Sequence, residues 1–122
     1  MVLEGHFQWW LYGVGHSQLV LHAPADGIAT SVHFEGVRAV KLRTSYVGLT
    51  ILEASGDDRI RMLAYAKVPE RLSDTHICLT LPTEDDGFVV CGRATALSGR
   101  QARAHSGWRW PEEAAVLASW SR

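Results

Sequence analysis

A chain of 122 residues, 47% apolar and 20% charged, is long enough for one hydrophobic core and too short for two cores with a linker, so residues 1–122 read as a single domain. Twelve Lys and Arg against thirteen Asp and Glu leave a formal charge of -1, which excludes the strong positive field of a dedicated DNA- or membrane-surface-binding module. No apolar run approaches the roughly 18–20 residues of a membrane span, and the start Met1-Val2-Leu3-Glu4-Gly5-His6 has no basic segment followed by an apolar one, so no secretory leader is expected.

Along the chain, short alternating runs are separated by Gly, Pro, Asp and Ser. Gln8–Tyr12 and Gln18–His22 flank Gly13-Val14-Gly15-His16-Ser17, whose two glycines supply the positive φ of a reversal, so the spacing predicts a β-hairpin. Ala23-Pro24-Ala25-Asp26-Gly27 ends the second strand. From Ser31 to Arg43, Val32, Phe34, Val40 and Leu42 alternate with polar residues around Gly36, which predicts one long strand bent at the glycine. Ser45–Ala54 is rich in strand formers, and Gly56-Asp57-Asp58 predicts a turn. Arg59–Val68 fits a strand with Ile60, Met62, Ala64, Ala66 and Val68 on one face. It also fits a helix with Ile60, Leu63, Ala64 and Lys67 in one stripe, and the period-2 match is the cleaner one.

Thr75–Leu81 and Phe88–Leu97 predict a second hairpin across Pro82–Gly87, and a symmetric loop sets Leu81 opposite Phe88, Leu79 opposite Val90 and Cys78 opposite Cys91. Pro111, Glu112 and Glu113 have the composition of a first helical turn, so Trp110–Trp120 predicts a short C-terminal helix. The expected fold is therefore all-β or mainly β. It is an antiparallel sandwich or partly open barrel of six to eight short strands with one C-terminal helix.

Two cysteines are too few for a disulfide-stapled secreted domain and point to a reducing cytoplasm. With Cys78 and Cys91 paired across a hairpin and His76 on the same strand face as Cys78, a zinc site would need a fourth ligand from His16, His22, His33 or His105. No C-x-x-C or H-x-x-x-H spacing sets that geometry, so two reduced, buried thiols are expected, with no metal and no cofactor, and a cross-strand disulfide is the alternative. His33 and Glu35 share a strand face and form the best candidate pair for acid–base work, but no nucleophile accompanies them; G-x-S-x-G and phosphate-loop motifs are absent and no catalytic residue is assigned.

Five tryptophans are the most unusual feature: Trp9, Trp10, Trp108, Trp110 and Trp120. Strand alternation sends Trp9 and Trp10 to opposite faces, one to the core and one outward. Between Phe88 and Pro111 lie Arg93, Arg100, Arg103, Arg109 and His105 with no acid, while Asp57, Asp58, Glu84, Asp85 and Asp86 crowd two turns. Outward Trp beside Arg has the composition of an interface hot spot, which makes Trp9, Trp10, Arg100, Arg103, Trp108, Arg109 and Trp110 the candidate binding residues. The same basic, Trp-containing stretch could stack and grip single-stranded nucleic acid.

His16–Leu21 followed by Val32-His33-Phe34-Glu35-Gly36-Val37-Arg38-Ala39-Val40-Lys41-Leu42 is similar to strand patterns of small bacterial proteins of the toxin-immunity type, over about a quarter of the chain. That resemblance implies a cytoplasmic domain that binds a partner protein and carries no catalytic residues. The leading expectation is thus a protein-binding module with a protein partner and no membrane contact. A small-ligand-binding or catalytic β-barrel and a single-strand nucleic-acid binder are the alternatives, and oligomeric state is left open.

Overall fold

The computed structural model describes residues 1–13, 17–24, 28–82, 86–100 and 115–122, except for the side chains of 10–13 and 100. Strands β1 (Val2–Gly13) and β2 (Gln18–Ala23) form the expected hairpin, with Gln8 opposite His22 and Gly13 opposite Gln18. Its ladder slips once, between the pairs Trp9–Leu21 and Leu11–Val20. Strand β3 (Ile28–Glu35) then pairs with β2, so that Leu19, Leu21, Val32 and Phe34 fall on one face and are all buried.

The bend expected at Gly36 is real, but it divides two strands rather than curving one. After Glu35 the chain turns through Gly36, at φ +65°, and Ala39–Lys41 (β4) runs in a different sheet. The run from Ser45 divides likewise into β5 (Ser45–Thr50) and β6 (Leu52–Glu53), which belong to opposite sheets. A third change of sheet occurs at Gly92, between β8 (Gly87–Cys91) and β9 (Arg93–Arg100). Two of these corners touch: the Gly92 N–H donates to the Glu35 carbonyl at 2.9 Å, and a Cβ on Gly36 would lie 3.4 Å from the Gly92 nitrogen. Glycine is needed at position 36 for both its positive φ and this close approach.

With β7 (Ile77–Leu81) and β10 (Ala115–Ser121), the described residues form ten strands in two antiparallel sheets, ordered β10-β9-β3-β2-β1-β5 and β4-β8-β7-β6. Among the described residues neither closes on itself. The mainly β, sandwich-like architecture is as expected, with ten strands among the described residues where six to eight were expected. The core lies between the sheets: Phe7, Leu19, Leu21, Val32, Phe34, Leu49 and Ile51 meet Ile77, Leu79, Leu81, Val89 and Cys91 there.

Three expectations are corrected. Arg59–Val68 is not a strand, nor is Gly56–Asp58 an isolated turn; Gly56–Tyr65 is one α-helix (α1), with Asp57 and Asp58 favourably placed in its first turn. The intrinsic preference of Met62, Leu63 and Ala64 for helix prevails over the period-2 pattern. The β7–β8 register is shifted by one: Leu81 faces Gly87, Leu79 faces Val89, Ile77 faces Cys91 and Cys78 faces Val90. Cys78 and Cys91 therefore lie on opposite faces of their sheet. Finally, of the helix expected over Trp110–Trp120, the part from Ala115 is instead a strand, laid along β9 with Trp120 opposite Ala94 and packed on the core, while 110–114 lie outside the described residues.

The second correction follows from the first. Helix α1 covers the outer face of the β4-β8-β7-β6 sheet through a second cluster of Ala54, Ala66, Cys78 and Val90, joined by Met62, Leu63, Val68 and Phe88. A sheet buried on both faces has apolar residues on both, so alternation no longer selects a register.

Candidate interaction surface

Of the tryptophan and arginine residues expected to bind, Trp9 is the one whose side chain is described. It is half-buried on the core side of β1, and its indole N–H donates to the Arg43 carbonyl at 2.8 Å. Trp10 and Arg100 lie in β1 and β9, but their side chains are outside the described residues, as are Arg103, Trp108, Arg109 and Trp110 altogether.

Neither cysteine is bonded to the other, and both are buried. Burial pushes the Cys91 thiol up to about 12 and raises Cys78 as well, so both are protonated, inert thiols at neutral pH. Because the register separates them, the His76–Cys78–Cys91 group does not assemble. Among the described residues no three of His, Cys, Asp and Glu come together as a metal site.

His33 and Glu35 stand at alternate positions of β3, and His33 has further polar company. On the outer face of the larger sheet it lies opposite Val20 and Thr95, with Ser31 two residues away. There the His22 Nδ1 and the Ser31 hydroxyl share a hydrogen bond of 2.6 Å. His33, Ser31 and Thr95 are all buried. Burial, reinforced by the nearby His22, pushes the His33 imidazole down to about 4, and burial lowers His22 too. Both rings are thus held neutral at pH 7, and a group that binds protons this weakly is a poor general base.

The most interaction-ready surface is built on α1. Its C-terminus is closed by a backbone reversal at Lys67, at φ +56°, with Lys67 N–H donating to Ala64 and Val68 N–H to Leu63. This is a Schellman arrangement with a non-glycine at the left-handed position. Arg59 ties the helix down: its guanidinium donates to the Ser73 carbonyl at 2.6 Å and the His76 carbonyl at 3.0 Å. These carbonyls end the 3-10 segment Glu70–Thr75 and lead into β7. Arg59, Leu63 and Ala66 share the inward face, at spacings of four and three residues.

Asp58, Arg61, Met62 and Tyr65 follow the same rule on the adjoining face and line a cleft of about 540 Å³. Lys41, Thr80, Pro82, Asp86, Gly87 and Phe88 complete it. Tyr65 stands edge-on to Phe88, ring centres 5.3 Å apart, yet remains 65% exposed, as does Ile60 on the neighbouring turn. Arg61 pairs with Asp58 across one turn. The surface does not stop there: Pro82 also lines a second cleft of about 520 Å³ along β5, with Val2, Tyr46 and Leu81, beside Val47, which is 91% exposed. An aromatic and aliphatic centre rimmed by charges of both signs is the anatomy of a protein interface.

Sequence reasoning missed Ile60, Arg61, Tyr65, Phe88 and Val47. A usable signal existed in the i, i+3, i+4, i+7 spacing of Asp58, Arg61, Met62 and Tyr65, which appears once Arg59–Val68 is taken as helical. Val47 had none, since whether a strand side chain faces solvent depends on which sheet covers it.

The chain matches no protein-family model, no curated protein and no solved structure. Among the described residues no helix is long and apolar enough to cross a membrane.

Proposed function

We propose that this chain is a small protein-binding module, and that the surface running from α1 over Pro82 to β5 meets its partner. A folded protein neutralised by being covered, as a toxin is by an immunity protein, is the partner class that the strand pattern resembles. The observation that carries the reading is a helix that leaves Ile60 and Tyr65 exposed beside a cleft floored by Met62 and Phe88. Tyr and Arg supply most hot spots because a rigid ring and a planar fork bury large area at small entropic cost.

Charge favours a protein over nucleic acid at this surface. Lys41 and Arg61 are balanced by Asp58 and Asp86, whereas a phosphate backbone is gripped by a field of one sign. The test is co-purification of tagged chain with proteins of its source cell, repeated with Tyr65→Ala and Val47→Asp. A stoichiometric partner held by the parent chain should bind at least about thirtyfold more weakly to Tyr65→Ala, while the far-UV spectrum and melting of both variants stay near those of the parent. A partner retained equally by both variants would remove this surface from the proposal. Binding lost on addition of moderate salt, with nucleic acid in the eluate, would favour the nucleic-acid reading instead.

A further inference from the structure

Four strands have a free edge among the described residues, and three of them are blunted. The β6 edge is two residues long and includes Glu53, and β4 is three residues ending in Lys41. The β5 strand is interrupted by Gly48 at φ +74°. Short length, charge and backbone kinks are the devices by which sheets avoid edge-to-edge pairing. The β10 strand is different. Ala115-Val116-Leu117-Ala118-Ser119-Trp120-Ser121 contains no charge, no Pro and no Gly, and among the described residues it is paired with β9 alone. Its one bulge, between the pairs Val116–Leu97 and Ala118–Ala96, leaves Ala118–Ser121 in unbroken register. Val116 is 61% and Leu117 43% exposed.

We infer that the β10 edge pairs antiparallel with the β10 edge of a second copy of this chain, joining two six-stranded sheets across a two-fold axis. The argument for self-pairing is electrostatic and steric. A two-fold axis through the middle of the strand sets Ala118 and Ser119 near their own counterparts and pairs the remaining residues end to end, so a charge near the centre would oppose a like charge; β10 has none. The small Ala118 and Ser119, in the middle of the strand, allow close approach, and Val116 and Leu117 gain cover. Seven residues make an edge of about 24 Å, which buries much less than the ~800 Å² per partner of a standard stable interface. The dimer is therefore reversible and concentration-dependent. This inference rests on a different surface from the partner-binding reading and stands or falls separately.

Sedimentation equilibrium of the full chain across the micromolar range tests it, together with Ser119→Lys and Ser119→Glu. Ser119 is exposed, so neither change disturbs the core. The expected result is a monomer–dimer equilibrium that each variant alone weakens by about tenfold or more, and that mixing the two variants restores. Hydrogen exchange on the unaltered chain provides a second reading: amides of Ala118–Ser121 should gain protection as concentration rises. A chain that stays monomeric throughout, or a dimer that Ser119→Lys leaves intact, or β10 exchange indifferent to concentration, overturns the inference. An equilibrium unmoved by both charges would place any self-association elsewhere.

Discussion

Acidification from pH 7 to pH 5 should cost this fold about 2 kcal/mol through His33 alone. In the unfolded chain the imidazole titrates near 6.5, whereas burial among Val20, Ser31 and Thr95 holds it near 4 in the native state. Between those values the unfolded state binds the extra proton, so stability rises with pH there. The contribution is complete above about pH 6.5 and is lost progressively as pH falls, until the native ring itself protonates near 4. Each pH unit inside the window is worth about 1.4 kcal/mol, and pH 5 lies about one and a half units into it. The ring is only 6% exposed, so solvent screening does not discount the figure. Urea titrations of the parent chain and of His33→Gln at both pH values measure the effect. The parent midpoint should fall by about 1 M more than that of the variant, given a urea dependence of about 1–3 kcal/mol per molar. His22, also lowered by burial, acts with the same sign and remains in both proteins. Equal losses in parent and variant would refute the reasoning, because carboxylates and His22 would then account for the whole acid response.

Further outcomes follow from the elements around α1 and the two thiols. Arg59→Met, which keeps the aliphatic stem but removes the donors to the Ser73 and His76 carbonyls, should cost about 2 kcal/mol and lower Tm by several degrees; an unchanged melt would show that water replaces the guanidinium freely. Lys67→Gly should stabilise by about 0.5–1 kcal/mol, since glycine adopts the positive φ without a Cβ penalty. A loss of stability on that change would mean that the Lys67 side chain contributes more than its backbone strain costs. Cys78 and Cys91 should resist a thiol reagent in the native protein and react, two per chain, in denaturant; fast native labelling of either would contradict their burial. Phe34→Ala, at the centre of the core, should cost about 3–5 kcal/mol, measurable as a collapsed urea midpoint.

Local patterns were enough for the first hairpin and for the mainly β class. There, one face of each strand is apolar and the connection is glycine-rich, so alternation and turn chemistry agree. They were also enough to mark Gly36 as a bend. What alternation does not encode is which sheet a strand joins after the corners at Gly36, Ile51 and Gly92, because sheet membership is fixed by partners distant in the chain.

The candidate surface was less legible than the fold. Its centre rests on α1, most of which lies in Arg59–Val68, a run that satisfies a strand template and a helix template at once; the helix preference of Met62, Leu63 and Ala64 and packing on the β4-β8-β7-β6 sheet decide between them. Once the helix covers that face, Cys78 and Val90 become as buried as Ile77 and Cys91, and the strand register settles where both faces are filled. At the C-terminus, Pro111 and the acids beyond it signal a helix start, yet Ala115–Ser121 pairs along β9 and places Trp120 against the core. The sequence by itself determined composition, class and the positions of several turns, since these depend on neighbours a few residues apart. Sheet membership, register, the burial of His33 and the exposure of Tyr65 and Val47 were decided by tertiary structure, since each depends on contacts between residues distant in the chain.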